Sequence, residues 1–208
     1  MPRNPPTGVN AKVPPPRPSN AALRPREHLF EHEIEKLMAA AKKRPSRYGH
    51  RDATMILMAF RHGLRVSELC ATRWDQLDLD RAEFLVVRRK GGSNIPHPLR
   101  GDELRALRRL KAEQSAPSPF AFLSERGAPM TPGAFRKLMI TIGQAADLPF
   151  PIHPHMLRHA CGYALQNGDE PLPLRVTQAW LGHRDIRHTE RYTALAPEAF
   201  RDVWRKKG

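Results

Sequence analysis

The chain has 208 residues, enough for one domain with a sizeable core, and carries 35 Lys plus Arg against 21 Asp plus Glu, a formal charge of +14. The basic residues recur along the whole chain, as covering a phosphate backbone requires, so composition favours a nucleic-acid partner. No apolar run could span a bilayer, the N-terminus lacks the apolar segment of a signal peptide, and Cys70 and Cys161 fit reduced core thiols. We therefore expect a cytoplasmic protein without disulfides or a membrane partner.

The first part of the chain differs sharply in composition from the rest. Residues 1–25 hold eight prolines, four basic residues and no acidic residue. Such a segment cannot bury a core and favours extended, solvated backbone. We predict a disordered Pro-rich basic arm here and a folded domain over residues 26–208. The arm could lie along DNA as a cationic tether, although an idle tail explains the composition about as well.

Downstream of the arm, apolar residues recur mainly at helical spacing. The first three helices are predicted from Leu29 to Met38, from Ala53 to Phe60 and from Val66 to Thr72. Gly63 is the expected terminator of the second, because glycine suits the left-handed conformation that ends many helices. Further helices are predicted at 101–113, 132–146, 155–167, 172–181 and 197–207.

A short stretch in the middle of the chain has the pattern of strands. Apolar residues alternate or cluster from Leu77 to Val87, Gly91-Gly92 supplies a turn, and alternation resumes from Ile95 to Leu99. This predicts a small antiparallel sheet with Lys90 in its hairpin. The fold class is α+β, mostly helical with one small sheet.

Four chemically distinctive side chains lie in the last part of the chain: His155, Arg158, His183 and Tyr192. If a helix begins after Pro154, His155 and Arg158 lie one turn apart and can converge on one anion. Arginine donates in a planar fork that suits phosphate oxygens, and a tyrosine beside positive charge can act as a nucleophile. Taken alone, a His-x-x-Arg pair is more often a solvated helix face or a core pair.

Five motifs in order resemble the signature of the tyrosine recombinases, also called the phage integrase family. They are Gly63-Leu-Arg-Val-Ser-Glu-Leu69, Lys90-Gly91-Gly92, His155-Met-Leu-Arg158-His159, Leu181-Gly-His183 and Tyr192. The resemblance covers roughly residues 27 to 204. Within it, the short length and the stretch Arg184-Asp-Ile-Arg-His-Thr are similar to the fimbrial phase-switch recombinases, a single-domain subgroup that inverts a promoter segment.

The resemblance implies a pair of arginines that clamp the scissile phosphate, Arg65 and Arg158. Fixed guanidinium donors stabilise the charge that gathers on the phosphate oxygens in the transition state. Glu68 matches the family's acidic position, where it would orient these cations. Without the other motifs, Arg65 is more often an ordinary arginine at the start of a helix.

The resemblance also implies four groups that move protons or attack the phosphate. Lys90 would be the general acid for the leaving 5′ oxygen, and it is the only lysine between Lys43 and Lys111. His155 and His183 would assist proton transfer. Tyr192 would attack to give a 3′-phosphotyrosine, which keeps the bond energy without a cofactor.

Neither a metal nor any other cofactor is expected. His155 and His159 have the spacing of a metal-binding pair, but no carboxylate follows them in a zincin pattern.

Double-stranded DNA is the implied partner, and four further residues are candidate DNA contacts: Arg88, Arg89, Arg136 and Lys137. The resemblance implies a homo-tetramer on DNA in which the tail after Tyr192 docks on a neighbouring subunit, although packing on the same chain is a comparable possibility. An accessory DNA-bending protein is kept open as a further partner.

The motifs leave several functions open. The first is a site-specific recombinase, either a DNA invertase or the integrase of a mobile element, which neighbouring inverted repeats would discriminate. A type IB topoisomerase-like enzyme would use the same chemistry without site preference. A DNA-binding regulator that keeps only the fold would have lost one or more catalytic positions, and here none is lost.

Overall fold

The structure is a computed structural model that describes residues 27–88, 94–114 and 117–193. These ranges hold eight α-helices, one short 3₁₀ helix and a three-stranded sheet. In chain order they are α1 Glu31–Lys43, α2 Gly49–Arg61, α3 Val66–Cys70, the 3₁₀ helix Trp74–Gln76, β1 Leu77–Asp78, β2 Glu83–Val86, β3 Ile95–Pro98, α4 Gly101–Glu113, α5 Pro132–Ala145, α6 His155–Asn167, α7 Leu174–Leu181 and α8 Arg187–Glu190. None of the helices in these ranges is long and apolar enough to cross a bilayer.

Three predictions fall outside the described residues. They are the basic arm over residues 1–25, the hairpin residues Arg89 and Lys90, and the C-terminal helix at 197–207.

The helix ends follow from local sequence. Thr131 caps α5 by accepting the Ala134 N–H, and Pro132 occupies the first turn, where its missing donor costs nothing. After α2, Gly63 adopts a left-handed φ of +55°, as predicted for its terminator. A Cβ at Gly63 would lie 2.4 Å from a methyl carbon of Leu181, so this position also has no room for a side chain.

The sheet is antiparallel in the order β1-β2-β3. Phe84 lies opposite Leu77 on one side and opposite His97 on the other. Phe84 and Val86 are buried, whereas Leu85 between them is exposed, so one face of the sheet covers the core. The predicted class, mostly helical with one small antiparallel sheet, is confirmed.

Helix α2 lies at the centre of the core. It packs against α1, α4 and α6, and its Met55, Ile56 and Met58 are fully enclosed. Because α2 is fixed on several sides, its C-terminal end has a defined position. That end, at His62 and Gly63, borders the cluster of arginines described below.

The two cysteines are buried, unpaired thiols, as the sequence predicts. Burial raises the pKa of both Cys70 and Cys161 to about 12, so both carry their proton at neutral pH.

Candidate active site

Arg65 and Glu68 form the first part of the site, at the start of α3. The Glu68 carboxylate accepts the backbone N–H of Arg65 at 2.9 Å and its Nη1 at 2.8 Å. A glutamate three residues into a helix commonly caps the helix start in this way. Burial raises the pKa of Glu68, but the Arg65 N–H and the charge of Arg88 outweigh it and hold the pKa below its usual range. Glu68 therefore remains a carboxylate.

Arg88, two residues after the end of β2, is buried, with its side chain only 1% exposed. Its Nη1 donates at 2.8 Å to Oε2 of Glu68, the oxygen that also accepts the Arg65 N–H. Its Nη2 donates to the carbonyls of His62 and Trp180. The guanidinium is enclosed in this arrangement, which differs from the surface DNA contact expected for Arg88. Arg88 instead ties the sheet to α2, α3 and α7.

Arg158 lies on α6 and is 1% exposed. Its Nη1 donates to the carbonyl of Gly63, and its Nη2 donates to the carbonyl of Leu181 at 2.6 Å. Both carbonyls belong to helix ends, where backbone oxygens lack helical partners. Burial and the charges of Arg65 and Arg88 lower the pKa of Arg158 to about 10.

Three guanidinium groups therefore surround one carboxylate. Arg65 and Arg88 pair directly with Glu68, and Arg158 lies close enough to feel all three charges. Within the described part of the chain, the ion pairs of these arginines are made to Glu68 alone. Buried positive charge in excess of its partners is costly, and an anion such as a phosphate would relieve that cost.

The sequence Leu181-Gly-His183 ends α7 and brings three contacts to this cluster. The Leu181 carbonyl binds Arg158, as described above. Gly182 has a φ of +63°, and a Cβ there would lie 2.9 Å from the Arg88 side chain. His183 is half-buried and its Nδ1 is 2.9 Å from the hydroxyl of Thr189. Burial and the charge of Arg158 lower the pKa of His183 to about 3, so the imidazole is neutral at pH 7.

Tyr192 follows α8 and is 1% exposed. Its hydroxyl lies 2.9 Å from Nδ1 of His159, and its ring lies near His183, with centroids 6.3 Å apart. The ring packs on Gly162, where an added Cβ would come within 2.5–2.7 Å of three ring atoms. Burial raises the pKa of Tyr192 to about 12 although the charge of Arg158 opposes the shift. The phenol is therefore protonated at neutral pH.

The remaining candidate residues are less closely joined. His155 is exposed at the start of α6, yet the packing around its ring and the charge of Arg158 lower its pKa to about 4. Its ring meets that of His159, with centroids 4.4 Å apart. Arg136 and Lys137 are exposed on α5. Lys90 lies outside the described residues, and across that gap in the description the Arg88 N–H donates to the side-chain oxygen of Asn94 at 3.1 Å.

Two residues that contact Tyr192 were given no role there by the sequence analysis, and both have a signal in the sequence. Gly162 interrupts an otherwise helical pattern, and a glycine there usually has a packing reason. His159 follows Arg158 directly and lies one turn after His155, so α6 places it on the edge of the same cluster.

We expect the free energy of unfolding to fall as pH is lowered from 7 to 5. Burial lowers the pKa of His159 to about 3 and of His97 to about 2. In the unfolded chain these histidines have a pKa near 6.5. Between the folded and the unfolded pKa values, the unfolded chain therefore binds more protons than the folded protein, and its population rises as pH falls. Each such histidine contributes about 1.4 kcal/mol per pH unit.

Urea titrations at a series of pH values measure this slope. The unfolding free energy of the His159→Asn variant, which lacks one such histidine, should fall less steeply with decreasing pH than that of the wild type. A wild-type unfolding free energy that stays constant between pH 6.5 and 5 would contradict the expectation.

A buried tyrosine that feels the charge of an arginine in a guanidinium cluster is an arrangement suited to covalent phosphoryl transfer. The sequence profile of the phage integrase family matches residues 27–199, and the chain belongs to that family. Its activity is accordingly the breakage and rejoining of DNA strands by a tyrosine recombinase.

Individual relatives agree with this membership. The chain is 39% identical to the type 1 fimbriae regulatory protein FimB of Escherichia coli K12, over 86% of this chain and 90% of the relative. It is 36% identical to FimE of the same strain, over 87% and 92%. The tyrosine recombinase XerD of Ralstonia nicotianae is 37% identical over 84% of this chain, which spans only 58% of that longer protein.

Solved structures agree on the fold. The XerA recombinase superposes with a TM-score of 0.70 at 24% identity, over 86% of this chain and 64% of that protein. The XerH recombinase bound to its difH substrate superposes with a TM-score of 0.71 at 20% identity, over 85% and 53%.

Proposed function

We propose that this chain is a site-specific recombinase whose nucleophile is Tyr192 and whose phosphate clamp is Arg65 with Arg158. The observation that carries the proposal is the excess of guanidinium over carboxylate beside a buried tyrosine. Glu68 and Arg88 hold this cluster in shape, because Glu68 bonds both Arg65 and Arg88. A scissile phosphate would supply the missing negative charge.

The covalent step follows from the geometry. A bond forms between the Tyr192 oxygen and the phosphorus, and the bond from phosphorus to the 5′ oxygen breaks. The phenol proton passes to a neutral histidine of the site, and the released 5′ oxygen takes a proton from a general acid. The reverse attack by a 5′ hydroxyl from another strand rejoins the DNA and releases the tyrosine, without any change in the number of phosphodiester bonds.

Lys90 is the proposed general acid. It lies two residues after Arg88 in the sequence, and the Arg88 side chain contacts Glu68, which also bonds Arg65 of the proposed phosphate clamp. A lysine suits this role because the step needs a proton donor on a flexible stem.

Exposed basic residues would carry the DNA. Arg136 and Lys137 project from α5, and Arg89 and the arm of residues 1–25 add further positive charge. Contacts of this kind neutralise phosphates and are weakened by salt. A recombinase of this kind would act in the cytoplasm, where its thiols stay reduced.

Inversion of a DNA segment is the proposed outcome of the reaction. FimB and FimE, which match most of this chain, are named as regulatory proteins of type 1 fimbriae. A recombinase regulates expression most simply by reversing a promoter between inverted repeats. Amplification across the DNA that flanks the gene tests this directly: two orientations of one segment support inversion, and a segment found either inserted or excised supports an integrase.

Covalent trapping on nicked DNA tests the activity itself. A nick beside the cleavage site lets the short fragment that carries the free 5′ hydroxyl diffuse away, so the adduct accumulates. We expect the intact protein to form an adduct on a fragment from its own genomic neighbourhood and Tyr192→Phe to form none. Unimpaired DNA binding with no adduct on any such fragment would instead favour a DNA-binding regulator.

The tail after Tyr192 would join subunits into a tetramer. Its sequence places apolar residues at helical spacing and ends in Arg205-Lys-Lys207. A groove of about 680 Å³ lies between α1, α2, α6 and α7 and extends to the start of α4. Exposed Glu31 and Glu35 lie on its edge, and Arg61 and Arg100 also line it. Its apolar lining includes Met38, Leu57, Phe60, Leu165, Leu172 and Trp180. The apolar lining and the two glutamates suit the tail of a neighbouring subunit.

Removal of residues 197–208 should leave DNA cleavage partly intact and abolish the tetramer on DNA. Leu57→Arg in the full-length chain should have the same effect, because it places a charge on the groove wall. Val176→Arg is the matched control, since Val176 is an exposed apolar residue on α7 that does not line the groove. Native gel electrophoresis on DNA with two sites measures the assembly, and tetramers retained by the truncated chain would refute tail docking.

A further inference from the structure

Nothing in the motif comparison assigns a role to His159, yet its Nδ1 lies 2.9 Å from the Tyr192 hydroxyl. Both side chains are buried, at 7% and 1% exposure. His155 and His183 were the expected proton carriers, but the histidine within hydrogen-bond distance of the phenol in the structure is His159. The histidine in contact with the nucleophile is therefore a different one.

We assign the phenol as the donor of this hydrogen bond. Burial, followed by the charges of His155 and Arg191, lowers the pKa of His159 to about 3, so its ring is neutral at pH 7. A neutral imidazole has one nitrogen that accepts, and the phenol of Tyr192 has one hydrogen to donate. In the tautomer that carries its hydrogen on Nε2, donation from the phenol to Nδ1 satisfies both groups.

The Tyr192 ring has little freedom of its own. It lies on Gly162, and the ring of Tyr163 meets its edge with centroids 5.3 Å apart. The hydroxyl hydrogen can still rotate about the bond between the ring and the oxygen. When the hydroxyl hydrogen points to His159, a lone pair of the oxygen is available to attack the phosphorus.

We propose that His159 is a catalytic residue that orients the Tyr192 hydroxyl and accepts its proton during attack on the scissile phosphate. The inference rests on the proposed function of Tyr192 as the nucleophile. As the oxygen–phosphorus bond forms and the bond to the 5′ oxygen breaks, the phenol hydrogen moves to Nδ1 of His159. The 5′ oxygen takes its proton from Lys90, and in the rejoining step His159 returns its proton to the tyrosine.

Without DNA the proton stays on the tyrosine. A phenol with a pKa of about 12 does not give its proton to an imidazole with a pKa of about 3. A phosphate bound beside the imidazole favours the imidazolium form, because opposite charges stabilise one another. Proton transfer is then coupled to the arrival of DNA.

Single-turnover cleavage of a nicked substrate by His159→Ala, with and without added imidazole, tests the proposal. General bases typically contribute about 10²–10⁴-fold, so we expect a loss of about a hundredfold or more that imidazole partly restores. His159→Asn should show a similar loss and serves if the alanine variant is unstable. His50→Ala is the matched control, because the His50 imidazole binds the Ala106 carbonyl at the contact between α2 and α4.

A substrate with sulfur in place of the bridging 5′ oxygen separates the two proton transfers. Sulfur leaves without a general acid, so this substrate should restore cleavage by Lys90→Ala and not by His159→Ala. Cleavage by His159→Ala within threefold of wild type would overturn the proposal, as would a loss that imidazole leaves unchanged.

Carbon-13 NMR of ring-labelled tyrosine keeps this outcome separate from the proposed function. The Tyr192 signal, identified by its absence in Tyr192→Phe, should shift in His159→Ala and return with imidazole. If the Tyr192 signal responds in this way but the wild-type chain forms no DNA adduct, the proposed function fails and the contact between His159 and Tyr192 stands. An unshifted signal would overturn the role of His159.

Discussion

Replacing Arg158 with lysine is expected to lower the rate of DNA cleavage about a thousandfold, as the loss of a fixed transition-state donor does in other enzymes. The Arg158 guanidinium holds the carbonyls of Gly63 and Leu181 at once, which a single ammonium cannot do in the same geometry. The variant should therefore also be less stable, by about 1–3 kcal/mol for the carbonyl left unpaired. Adduct formation on nicked DNA and urea unfolding measure the two effects.

Arg51→Lys is the matched control for this variant. Arg51 is also buried and also bonds a backbone carbonyl, that of Leu123, but its carboxylate partner is Asp52 and it lies outside the cluster. It should lose a similar amount of stability while folded molecules keep their cleavage rate. Equal cleavage by Arg158→Lys and Arg51→Lys would contradict the assignment of Arg158 to the phosphate.

Replacing Gly162 with alanine is expected to slow cleavage about a hundredfold although alanine is the better helix former by about 1 kcal/mol. The added methyl group would fall within 2.5–2.7 Å of three atoms of the Tyr192 ring, so the ring must move. Displacement of a reacting group by about 1 Å can cost a hundredfold in rate. Single-turnover cleavage measures the effect.

Gly101→Ala provides the control for Gly162→Ala. Gly101 begins α4, and a Cβ there would meet only the end of the Arg105 side chain at 3.4 Å. The Gly101→Ala variant should cleave DNA at the wild-type rate. A wild-type rate for Gly162→Ala as well would show that the Tyr192 position is not set by its contact with α6.

Much of the fold could be predicted because the signals are local. The helices at 101–113 and 155–167 are observed at the predicted bounds, since helical periodicity and flanking breakers mark them. Gly63 was assigned correctly as a helix terminator because a residue with positive φ is usually glycine.

The placement of Arg88 could have been read from the strand. Phe84 and Val86 face the core, and a period of two puts Arg88 on the same buried side. The motif comparison instead treated Arg88 as equivalent to its neighbour Arg89. An arginine that continues a buried strand face was a signal for an internal ion pair, and Glu68 is that partner.

The contact between His159 and Tyr192 could not be predicted. The two residues are 33 positions apart, on α6 and after α8, and no local pattern fixes how those elements meet. The same holds for the bonds from Arg158 to two separate helix ends. These contacts depend on tertiary packing, which a single sequence does not reveal.

The central claim is that Tyr192 carries the DNA through its 3′ phosphate. The most direct measurement is mass spectrometry of the trapped adduct after digestion of both the DNA and the protein. We predict a nucleotide remnant on the peptide that contains Tyr192, joined through a 3′ phosphate, and a free 5′ hydroxyl on the released strand. A remnant on Tyr48, Tyr163 or any other residue, or a link through the 5′ phosphate, would contradict the account.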